Sequence, residues 1–60
     1  MKVYTLLKQL KDPCKPLLVY GKGGSFLYKG VLNNVPWHIA KCEIKTHWES
    51  DDNITWVRLK

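Results

Sequence analysis

A chain of sixty residues has room for one thin hydrophobic core and little else. A domain of this size buries only about 60% of the surface that its unfolded chain exposes. One domain, 1–60, is therefore expected. A pocket walled by protein on every side is hard to build from so little chain, so the sequence reads as non-enzymatic and as acting through a surface. Hydrophobic residues make up 45% and charged residues 25%, a balance that belongs to packed domains rather than disordered ones.

Ten Lys and Arg against five Asp and Glu leave a net charge of +5. The cations are spread along the chain, with no run that would make a basic tail. Such a surface suits phosphates, a membrane or an acidic partner, and equally keeps a small protein in solution. No apolar stretch reaches the core of a signal peptide or the ~20 residues of a membrane span. A cytoplasmic protein without a membrane partner is expected. In that compartment Cys14 and Cys42 are free thiols, and a disulfide between them needs an oxidising one.

Val3, Leu6, Leu7 and Leu10 recur at helical spacing, so the chain opens with a short amphipathic helix. Thr5 as its N-cap would shorten it to about two turns. Asp12-Pro13 ends it, because proline cannot continue the hydrogen-bond ladder. Leu17 to Tyr20 reads as a strand, Gly21-Lys22-Gly23-Gly24 as a hairpin turn, and Ser25 to Lys29 as the returning strand. Both strands are apolar on both faces, so alternation does not orient them. Gly30 marks a bend. Asn33-Asn34 signals a turn, and Val35 to Ala40 is one helical turn that packs Trp37 or Ile39 on the sheet. Lys41 to Trp48 alternates, with Cys42, Ile44, Thr46 and Trp48 on one face. A polar loop, Glu49 to Asp52, leads to the last strand, Asn53 to Lys60. The expected fold is α+β: a short N-terminal helix on one face of a small four-stranded antiparallel sheet, with a small β-barrel as the alternative. With one real helix available, one sheet face stays partly solvated.

The last hairpin carries the candidate site. A four-residue loop over Glu49 to Asp52 places Ile44 opposite Val57 and Cys42 opposite Leu59 on the buried face. The outward face then pairs Glu43 with Arg58, Lys45 with Trp56 and His47 with Ile54; the opposite charges and the aromatic–cation pair are each favourable by roughly 0.2–1 kcal/mol. Lys41, Lys45, His47, Trp56, Arg58 and Lys60 accordingly surround one acid, Glu43. Cations interleaved with an indole suit nucleic acid, since cations neutralise phosphate and the ring stacks on a base. They also suit an acidic protein, with Trp and Arg as anchors. An ordinary solvated face with Lys stems over the Trp is the plain alternative. In the core, Trp48 is expected to be at least partly buried and Trp37 to close an edge; Trp56 is the candidate for exposure.

Other chemistry is poorly supported. Cys14, His38, Cys42 and His47 are zinc-ligand types, yet no close Cys pair exists and the spacing fits no finger. A Cys/His nucleophile lacks an orienting third group. The glycine-rich turn opens onto a strand and lacks the Gly-Lys-Ser/Thr ending of a phosphate loop. No metal and no cofactor are expected.

Met1 to Leu10, Leu17 to Tyr20, Tyr28-Lys29-Gly30, Val35-Pro36 and the hairpin Lys41 to Leu59 together give a pattern that resembles short uncharacterised proteins of phages and mobile elements of Gram-positive bacteria. The resemblance covers nearly the whole chain and implies a small accessory or host-modulating protein without catalysis; it assigns no functional residues. The expectation is a small binding module that occludes or recruits a macromolecule, with a protein partner favoured. Nucleic acid or nucleotide is the second reading, and a homodimer that buries the same face is the third.

Overall fold

The computed structural model describes all residues, 1–60. Helix α1, Val3–Gln9, has no side-chain cap at Lys2. At seven residues it is too short to persist alone, and it is held by Val3 and Leu6, which are buried in the core. Its last turn closes when the Leu10 amide donates to the Leu6 carbonyl. The Asp12 carboxylate then accepts from the Cys14 amide at 3.0 Å and turns the chain into the sheet.

Strands β1, Pro16–Tyr20, and β2, Phe26–Val31, form the expected hairpin. Gly23 and Gly24 sit at φ 96° and 85°, which an L side chain rarely adopts. Gly30 is a strand residue, not a bend. The Tyr28 ring folds over it, and the Tyr28 hydroxyl donates to the Val31 carbonyl at 2.6 Å. A Cβ on Gly30 would meet that hydroxyl at 2.7 Å.

After β2 come a 3₁₀ turn, Leu32–Asn34, and helix α2, Trp37–Ala40, followed by β3, Ile44–Glu49, and β4, Thr55–Leu59. The strand order is β2-β1-β4-β3. The outer pairs are antiparallel, but β1 and β4 run parallel, so the sheet is mixed and not closed into a barrel. The physical reason lies in Leu32 to Glu43. This segment crosses from one edge of the sheet to the other over its helical side, and a parallel arrangement needs such a crossover. Reading it as a local turn had implied an all-antiparallel sheet.

One face of the sheet and the two helices bury Val3, Leu6, Leu17, Val19, Ile39, Ile44, Val57 and Leu59 in a single core. The other face carries no helix. Of the two residues expected to cover the sheet from α2, Ile39 does so, whereas Trp37 is 67% exposed and stacks on Tyr4 at 5.9 Å. Beside the core, the Lys15 ammonium is held between Glu49 and Asn53 Oδ1, tying the α1–β1 connection to the β3–β4 loop.

The chain start is fastened to the head of β3. Lys2 bridges Glu43, and the Glu43 carboxylate faces the Met1 ammonium at 3.3 Å and Lys2 Nζ at 3.4 Å. Hydrogen bonds from these two ammonium groups hold its pKa below the usual 4.5. A depressed carboxylate stabilises the fold above its ordinary pKa and loses that effect as pH falls through the lowered value. Glu43→Gln is therefore expected to lower the melting temperature at pH 7. It should also flatten the loss of melting temperature below pH 4.5; thermal melts at several acidic pH values check this.

Candidate functional site

The β3–β4 hairpin sets the outer face, and its register differs from the expected one. The pairs are Trp48 with Trp56, Thr46 with Arg58, His47 with Val57 and Ile44 with Leu59, with a bulge between Ile44 and Thr46. The loop runs through Ser50 to Ile54: the Asn53 amide donates to the Ser50 carbonyl, and the Ser50 amide to the Ile54 carbonyl. Asn53 supplies the left-handed step at φ 63°, a conformation Asn tolerates better than most residues. The expected four-residue loop ignored that step. The resulting shift is odd near the loop, which exchanges faces there, and the bulge restores Ile44 to the core side.

Several site residues move as a consequence. Trp48 is on the outer face beside Trp56 and is 42% exposed, whereas Trp56, the tryptophan expected to be exposed, is half-buried. His47 lies on the helical side, opposite Val57, near Gln9 and Leu10; it does not join the site. Lys41 is no strand residue but follows α2 as its C-cap. Glu43 precedes β3 and pairs with the chain start rather than with Arg58. Lys45, Arg58 and Lys60 do stay together at one end of the outer face, whereas Trp56 lies towards the other end of β4, beside the β3–β4 loop.

Four aromatic rings gather on that face. Cross-strand register places Phe26 beside Tyr20, Tyr20 beside Arg58, and Trp56 beside Trp48. The two indoles are parallel, 2° apart in plane with centroids 6.0 Å apart. Tyr20 meets Trp48, Trp56 and Phe26 edge-on at 6.1–6.4 Å, geometries worth about 0.5–1.5 kcal/mol per pair. Phe26 is 63% exposed. A bulge in β2 around Leu27 turns Phe26 outward while Tyr28 stays on the core side. Sequence reading missed Tyr20, Phe26 and Trp48; β1 and β2 have apolar residues on both faces, and only the register tells the two faces apart.

Apart from Glu43, the carboxylates are confined to one end of the strands, whereas cations occur at both. At the end where β1 and β4 finish stand Lys2, Lys22, Lys41, Lys45, Arg58 and Lys60, with Glu43 as the acid nearby. Asp12, Glu49, Asp51 and Asp52 lie at the opposite end, before β1 and around the β3–β4 loop. Lys29 adds a cation across from Leu18 on the outer face. No strand position of that face carries a carboxylate; Asp51 and Asp52 stand in the loop beyond the Trp48–Trp56 pair. Arg58 makes no ion pair, and its Nε has no acceptor within the protein.

The cysteines stand apart from this surface. Both are free; the Cys42 thiol donates to the His38 carbonyl at 3.2 Å. No three His, Cys, Asp or Glu side chains converge in a way that could hold a metal ion. No helix is long and apolar enough to cross a membrane. No protein-family model matches the chain, and neither a curated protein nor a solved structure is significantly similar to it.

Proposed function

We propose that the outer face of the sheet binds single-stranded nucleic acid, with Phe26 and Trp48 as base-stacking platforms over a floor of Tyr20 and Trp56. The observation that carries this reading is a helix-free sheet face with four clustered rings, bordered by unpaired cations and without a carboxylate at its strand positions. Bases stack on exposed rings whatever their sequence, and cations track the phosphates. A duplex keeps its bases stacked inside and offers such a platform little, so the single strand is the better fit. Within the phage or mobile-element setting that the resemblance implies, the protein would act by occupying strands, not by catalysis.

An acidic protein partner, the expectation from sequence, uses the same rings as anchors, and a homodimer would bury them in a second copy. Salt separates these readings. With three to four phosphate contacts, affinity for a labelled thymidine octamer should fall roughly 20–50-fold between about 50 and 200 mM KCl. A duplex of equal length should compete poorly. A flat salt response, or light scattering that finds a dimer with no affinity for the octamer, would remove the nucleic-acid reading.

A further inference from the structure

Beside the aromatic cluster, Lys22, Lys45, Arg58 and Lys60 line one open cleft together with Leu59. They come from three separate parts of the chain. Lys22 lies in the β1–β2 turn, Lys45 at the β3 bulge, and Arg58 and Lys60 at the end of β4. None of the four is in an ion pair, and no acid lines the cleft. The β3 bulge contributes directly, since Lys45 is the extra residue between Ile44 and Thr46.

Four cations lining one cleft with no acid among them make it a favourable place for an anion. An internal phosphodiester brings a single charge and two free oxygens. A terminal phosphomonoester brings a charge near −2 and three acceptor oxygens, a better match to a cleft lined by four cations. Arg58 sits next to Tyr20 in register and two residues from Trp56, so a group in the cleft is covalently within reach of a base on the rings. We propose that this cleft holds the terminal phosphate of the bound strand, which makes the protein a reader of phosphorylated single-strand ends. The inference rests on the sheet-face reading above and adds a ligand group to it.

The test compares hexathymidylate carrying a 5′-phosphate, a 3′-phosphate or neither, by fluorescence anisotropy. One phosphorylated form should bind about tenfold tighter than the unphosphorylated strand, and the two arms identify which end is read. Lys22→Glu and Lys60→Glu should abolish that preference. Lys11→Glu, an equal change of net charge at the far end of the molecule, should lower affinity for all three strands alike and keep the preference. Equal binding of all three strands by the native chain overturns the cleft assignment and leaves the sheet face standing. If no strand binds, yet inorganic pyrophosphate shifts the amide resonances of Lys22, Lys45, Arg58 and Lys60 above those of the other lysines, the cleft stands as a phosphate site and the sheet-face reading falls. If pyrophosphate moves all lysines equally, the cleft is no site.

Discussion

Leu17→Ala is expected to leave most of the chain unfolded at 37 °C. Leu17 is 1% exposed and sits mid-sheet in β1, facing Gly30 on one side and Thr55 on the other. Emptying such a site costs about 2–5 kcal/mol, depending on how far the neighbours collapse. A domain of this length has roughly 3–9 kcal/mol in total, so the loss takes a large share of it. Gly30 offers no side chain to fill the gap, and the Tyr28 ring above it is fixed by its bond to Val31. Circular dichroism should show a melting temperature lower by roughly 15 °C or more. Trp37→Ala, a larger deletion at an exposed position, should move it by only a few degrees. Equal effects of the two would contradict the placement of the core.

The second large effect falls on binding. Removing one stacking platform costs roughly 10–100-fold in affinity. Trp48→Ala, which removes a platform, and Trp56→Ala, which removes the ring Trp48 stacks on, should each fall in that range for a thymidine octamer. The double variant should lose less than the product of the two, because the indoles stack on each other and share neighbours. Trp48→Ala should keep a near-native melt, as Trp48 is well exposed; Trp56 is half-buried and its loss should cost some stability as well. Anisotropy titrations alongside thermal melts keep the two contributions apart. Unchanged affinity in a folded Trp48→Ala variant would remove this indole from the site.

The helix, the first hairpin and the four strands were legible because each has a local cause: a 3.6-residue apolar period, a proline stop, a glycine turn at positive φ. Two features were not legible, since their causes are non-local. The parallel pairing of β1 with β4 follows from how far the segment 32–43 travels, which no local pattern records. The face of Trp48 depends on Asn53 adopting a left-handed conformation and on the bulge beside Lys45. Each inserts a single step into a period-2 pattern and swaps the faces beyond it. Trp56 and Arg58 were placed outward all the same, because Val57 and Leu59 between and beyond them had to face the core. The aromatic cluster was hidden for a related reason: its members come from all four strands, and only assembly of the sheet brings them together.

The central claim is that the helix-free side of the sheet does the binding. It is tested most directly by a ¹⁵N–¹H titration with a thymidine octamer, following the three indole N–H signals. Trp48 and Trp56 lie on the open face, while Trp37 lies in the helical layer against Tyr4 and serves as an internal reference. The account predicts large, saturable shifts for Trp48 and Trp56 and for the amides of Tyr20 and Phe26, with Trp37 unmoved. Shifts centred on Trp37 and Tyr4, with the other two indoles unchanged, would contradict it.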